Sequence, residues 1–183
     1  TGDVNPSGKM PITLPERLED TAPIALNDYN AVESLYTEGV FIGYRWFEQQ
    51  KITPEFSFGH GLSYTNFAYS GLTLKHKSVK QGQSQIATVK VTNTGKRAGA
   101  EVVQLYLHDV KSSVERPENE LKGFGKVYLE PGESKSIDII IKPRDMSFWD
   151  INTNDWLAEP GIFDVRIGAS LNDIRLSQSF ELN

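Results

Sequence analysis

Three histidines, 24 carboxylates and three tryptophans are the side chains of this 183-residue sequence with most to offer chemically, and there is no cysteine. His60 lies in a glycine turn, His76 stands alone, and His108 ends an alternating run beside Asp109; none has a second histidine at metal-ligand spacing. The missing cysteines exclude a thiolate nucleophile, a disulfide framework and a zinc-thiolate site. A serine nucleophile would need an exposed Gly-x-Ser-x-Gly elbow, which is absent. Paired carboxylates can do acid-base work, but so many acids make pairs without singling one out. Most fall on strand faces expected to be solvated. Asp3 and Glu38 are set among glycines, where a structural hydrogen bond to a turn is the expected role.

Asp150-Ile151-Asn152-Thr153-Asn154-Asp155 begins like a calcium loop. Its sixth position is Asp155 where a sharp turn wants glycine, and its twelfth is Gly161 where a bidentate glutamate is required, so a polar hairpin fits better. Trp149 and Trp156 flank that hairpin and, with Phe148, could stack on sugar rings; cross-strand packing is the commoner use of such a pair. Lys111 to Glu120 is the longest polar connection of the second half, either a solvent-facing link or a functional loop that could reach across to the neighbouring domain.

The elements that must position these groups fall into two regions. Residues 1–37 are rich in Pro, Asp and Asn; Pro11, Pro15 and Pro23 forbid a long helix and leave at most an edge strand. Such a segment buries too little apolar surface to offset its ordering entropy, so it needs an outside scaffold. From Phe67 onward the apolar period is two. Ala87, Val89 and Val91 alternate with Thr88, Lys90 and Thr92; Val103, Leu105 and Leu107 with Gln104, Tyr106 and His108; Ile137, Ile139 and Ile141 with Asp138, Ile140 and Lys142; Phe163, Val165 and Ile167 with Asp164 and Arg166; Ile174, Leu176, Phe180 and Leu182 close the series, broken at Gln178. Glu130-Pro131-Gly132-Glu133 suits a type II turn. With Gly71 to Leu74 and Gly123 to Leu129 the strands number about seven, which predicts an immunoglobulin-like or fibronectin-type sandwich of about a hundred residues. Between the regions, Glu38 to Thr65 is dense in rings and glycines: Val40-Phe41-Ile42 is β-prone, and Tyr44, Trp46 and Phe47 predict an element buried on both sides, a clasp between two domains.

A hydrophobic content of 38% supports one domain plus part of another, and a net charge of −5 with interspersed signs disfavours nucleic-acid and anionic-membrane partners. No apolar run approaches the roughly 20 residues of a membrane span. The start at Thr1-Gly2-Asp3-Val4 has neither an initiator Met nor a signal-peptide layout and reads as the middle of a longer polypeptide. No Asn-x-Ser/Thr acceptor survives once Asn5-Pro6-Ser7 is set aside, so N-glycosylation is not expected.

Gly2-Asp3-Val4-Asn5-Pro6-Ser7-Gly8-Lys9-Met10-Pro11 resembles a motif of family-three glycoside hydrolases, the β-glucosidases and β-xylosidases. The stretches Glu38 to Phe47 and Phe56 to Thr65 are similar to that family's next two landmarks, in the same order. Glu120 to Phe124, Leu129 to Glu133 and Asp145 to Asp150 resemble its C-terminal fibronectin type III-like domain. The resemblance implies a mainly β chain in which residues 1–65 are the remnant of an incomplete α/β sandwich domain and residues 66–183 are the fibronectin type III-like sandwich.

It further implies that both catalytic carboxylates of the retaining mechanism precede Thr1, so no residue here is assigned as catalytic, substrate-binding or metal-binding, and no cofactor is expected. The implied partner is the missing N-terminal catalytic portion, which would bind a β-glucoside or oligosaccharide. Without that cover, Val40, Phe41, Ile42, Trp46 and Phe47 are expected to be exposed. An alternative is a freestanding β-sandwich module that binds carbohydrate or protein; an architectural spacer is a third reading. The compartment stays open, extracellular or periplasmic slightly ahead of cytoplasmic.

Overall fold

A computed structural model describes residues 2–29 and 32–183. Thr1, Asn30 and Ala31, which fall within the expected 1–65 segment, lie outside the described residues. The strands are β1 (Phe67–Leu74), β2 (Ser78–Val79), β3 (Gln85–Asn93), β4 (Gly99–Asp109), β5 (Glu120–Leu129), β6 (Ser134–Ile141), β7 (Phe148–Asp150), β8 (Asp155–Leu157), β9 (Gly161–Ser170) and β10 (Asp173–Leu182). Two sheets stack, one ordered β1-β3-β6 and the other β2-β10-β9-β4-β5, and β7-β8 form a separate hairpin. Neighbours pair antiparallel except β2, which runs parallel to β10 through Ser78 and Val79.

The period-two residues fill the space between the sheets. Ala87, Val89, Val91, Val103, Leu105, Ile141, Phe163, Val165 and Ile167 are fully buried, joined by Leu107, Leu129, Phe180 and Leu182. Each large side chain removed from water in this way contributes roughly 1.5–3 kcal/mol. Their partners in the alternation, such as Ile140 and Lys90, stay outside. At Glu130 to Glu133 the predicted turn closes with Glu133 N–H donating to Glu130 O at 2.9 Å, and Gly132 supplies the positive φ of 79° that a type II turn needs. Strand β1 starts at Phe67 and β5 at Glu120, earlier than Gly71 and Gly123, because the apolar residues there are sparse and the sheet partners, not the pattern, set the ends.

Among the described residues before Asn66 the helical elements are short: a 3₁₀ turn at Leu18–Asp20, α1 (Ala22–Ala25) and α2 (Tyr44–Gln49). Pro23 is accommodated in the first turn of α1, where no N–H is required. The stretch read as a doubly buried, β-prone element is instead a helix from Tyr44, entered through Gly43 at φ 57°. Trp46 and Phe47 turn inward together onto Ala22 and Ile52, and the Trp46 indole donates to Asp20 O at 2.9 Å. The expectation of exposure is thus corrected for Phe41, Trp46 and Phe47, which are buried within this chain, and holds for Val40 and Ile42, more than half exposed.

Candidate functional site

The residues with chemical potential do not converge. His60 packs tilted against Phe56 with centroids 5.3 Å apart; His76 exchanges backbone hydrogen bonds with the Gln85 side chain; His108 is half-buried on β4, its Nδ1 without a hydrogen-bond partner and 3.7 Å from Glu118 Oε2. Among the described residues no group of three or more His, Asp or Glu could hold a metal ion. Asp3 lies exposed beside Arg97 and Tyr64, and Glu38 is half-buried with Oε2 unpartnered. Asp150 is turned back into its own hairpin, accepting from the Asn152 backbone at 3.0 Å and the Thr153 hydroxyl at 2.8 Å. Those local donors hold its carboxyl below the usual range. Trp149 and Trp156 are cross-strand partners, edge to face at 5.7 Å, with the Arg144 guanidinium 4.1 Å from the Trp156 centroid.

What the structure does assemble is a seam between residues 2–65 and the sandwich. Strand β4 is buried on both faces: Leu105 and Leu107 point into the sandwich, while Gln104 and Tyr106 point out and are covered by the first segment. Gln104 Nε2 donates to Gly59 O at 3.1 Å and Ala169 O at 2.7 Å, and its Oε1 accepts from the Tyr106 hydroxyl at 2.6 Å. Burial raises the Tyr106 phenol well above its ordinary value, which keeps it a donor. Gly59 sits at φ 79°, and a Cβ there would overlap the Gln104 amide, so the backbone approaches only because the side chain is absent. The same holds at Gly61, whose Cβ would meet Gly8 O at 2.5 Å.

These close approaches join the glycine-rich stretches to each other. Met10 N–H donates to His60 O and Gly59 N–H to Met10 O, both at 2.8 Å; Asn5 Oδ1 accepts from Tyr64 N–H at 2.7 Å. On the sandwich side Leu171 N–H donates to Phe58 O at 3.1 Å, Lys9 pairs with Glu101 at 3.1 Å, and the Thr65 hydroxyl donates to Asn93 Oδ1 at 2.7 Å.

The polar connection Lys111 to Glu120 reaches across, and its target is α2 within this chain. Gln49 Nε2 donates to Glu115 at 2.8 Å, Asn119 Nδ2 to Glu48 Oε1 at 2.6 Å, and Leu121 N–H to the Tyr44 hydroxyl at 3.0 Å. Its base is an ion network: Arg116, with a nearly buried side chain, bonds Asp109 at 3.1 Å, Glu120 at 2.7 Å and Met146 O at 3.2 Å, and Lys122 pairs with Glu120 at 2.8 Å. Burial alone would raise the Glu120 carboxyl, but Lys122 and Arg116 outweigh it and hold it low. Nothing in the sequence marked this network, because its members are separated along the chain and each reads singly as a surface charge.

The fibronectin type III-like domain family matches residues 101–171. Thermostable beta-glucosidase B of Acetivibrio thermocellus is 46% identical over the whole of this chain, which spans 24% of that protein; a beta-glucosidase of Bacteroides ovatus is 42% identical over 99% of the chain and 25% of its own length. Among solved structures, the beta-glucosidase of Bifidobacterium adolescentis superposes with a TM-score of 0.91 at 36% identity, over 99% of this chain and 26% of that one. The chain therefore spans about a quarter of the length of the proteins it matches. Along its whole length the chain is similar to the C-terminal portion of these family-three β-glucosidases, fibronectin type III-like domain included.

Proposed function

We propose that this chain is the non-catalytic C-terminal portion of a retaining β-glucosidase-type hydrolase, with residues 1–65 completing an α/β domain and residues 66–183 bracing it. The observation that carries the proposal is similarity to β-glucosidases along the entire chain combined with coverage of only a quarter of their length. Retaining hydrolysis needs two carboxyl groups about 5 Å apart across the glycosidic bond, and in this reading both belong to the upstream portion.

The surface of the first segment supports such a partner. Leu18, Tyr29 and Tyr36 are each about two-thirds or more exposed, and Leu35, Val40 and Ile42 are more than half exposed. A concentration of large apolar side chains on one short segment is the mark of an interface; the longer sandwich also exposes apolar side chains, Phe124, Tyr128, Ile140 and Ile151 among them, but spread over more chain. The seam built on Gln104, Tyr106 and Tyr44 would then transmit the rigidity of the sandwich to the α/β domain. The decisive experiment is hydrolysis of an aryl β-glucoside, with this chain and the upstream portion assayed separately and together. Turnover that requires both supports the proposal; turnover by the chain alone refutes it.

A further inference from the structure

A half-enclosed cavity of about 240 Å³ lies where three stretches of chain meet: Thr13, helix α2 with its exit through Lys51 and Ile52, and the β9–β10 turn at Leu171 and Asn172. Two side-chain oxygens on its lining, Thr13 Oγ1 and Glu48 Oε2, are buried with no hydrogen-bond partner. Buried polar atoms in folded proteins nearly always find one, and leaving a charged acceptor without it is costly. The other Glu48 oxygen is held by Asn119, so the free one is fixed in place as an acceptor.

The lining chemistry defines what would satisfy these atoms. Glu48 and Lys51 bring opposite charges to one cavity and form no ion pair with each other, so a neutral ligand suits it better than an ion. The free carboxylate oxygen calls for a hydroxyl donor; the Lys51 ammonium calls for an oxygen acceptor; the Thr13 hydroxyl can meet either. Tyr44, Phe47, Ile52 and Leu171 supply an apolar wall. Hydroxyls around a carbon frame with an apolar face are the pattern of a polyol ring. The volume, just below the roughly 300–1,000 Å³ of sites for drug-sized molecules, limits the occupant to about one such ring.

We propose that this cavity binds a small neutral polyol, a pyranose monosaccharide, pinning the first segment to the sandwich. The preference for a pyranose over other polyols rests on the β-glucosidase reading; the polyol site itself does not.

The test is titration of the chain with D-glucose and with myo-inositol, followed by amide chemical shifts and by crystals soaked in each. Binding on the order of millimolar is expected for a half-open site of this size, with shifts at Thr13, Glu48 and Asn172 and density for a ring in the cavity. Glu48→Gln keeps the bond from Asn119 but replaces the free acceptor by a donor, and Thr13→Val removes the hydroxyl at constant shape; each is expected to weaken binding about tenfold. Circular dichroism confirms that both variants fold. Saturation by inositol but not glucose overturns the monosaccharide, and ordered water alone at millimolar polyol, or binding unchanged in both folded variants, overturns the site. Hydrolysis of the aryl glucoside reads the upstream portion and is independent of all these outcomes.

Discussion

Gln104 shows how much one side chain can settle. It was legible only as a polar residue in an alternating strand, yet it is buried and ties Gly59, Ala169 and Tyr106 together. Replacing Gly59 by alanine forces a left-handed backbone and a clash with that amide, so a stability loss of about 1–3 kcal/mol is expected in chemical denaturation. Arg116→Ala leaves the buried Asp109 carboxylate without its cation and Glu120 with Lys122 alone, with an expected loss of about 3 kcal/mol by the same measurement. The carboxylates also predict opposite pH behaviour. Glu120, held low in the folded state, contributes stability that is present above its ordinary value of about 4.3 and lost as pH falls through the depressed one. Glu48 is raised by burial, so its contribution is full below about pH 4.3 and is lost as pH rises through the raised value. The Glu48→Gln variant should therefore gain melting temperature over the parent as pH rises above about 4.3, until the raised value is passed; a constant difference would contradict the assignment.

At the scale of elements, the sandwich was readable because a sheet pair with one buried face per strand writes its period directly into Val89, Leu105, Ile139 and Val165. The hairpin of Trp149 and Trp156 was readable because its calcium pattern fails at the positions that matter. Helix α2 was not. Six residues are less than two turns, too short to show a helical period, and the cover for Trp46 comes from Asp20 and Ala22, far away in sequence. Strand β4 hid its second buried face for a related reason: the polar character of Gln104 and Tyr106 suits hydrogen bonds in a covered seam as well as it suits solvent. The contact from α2 to β5 gives a local test. Tyr44→Phe deletes the acceptor for Leu121 N–H, and about 1 kcal/mol should be lost, with faster hydrogen exchange at the Leu121 amide than at its neighbours.

For the whole molecule, the seam joins the sandwich to the first segment, while Leu18, Tyr29, Tyr36 and Ile42 of that segment stay exposed. Family motifs carried this organisation in the sequence, since the Asn5-Pro6-Ser7-Gly8 and Phe58-Gly59-His60-Gly61 stretches are the ones that meet in space. What no pattern in the chain could convey is the surface of the proposed upstream partner. The most direct measurement is co-expression of this chain with the upstream portion of the proposed β-glucosidase, followed by purification on a tag carried by one of them and assay on an aryl β-glucoside. A stoichiometric complex that hydrolyses the glucoside, with neither part active alone, is the predicted result; full activity of the upstream portion without this chain, or any turnover by this chain on its own, would contradict it.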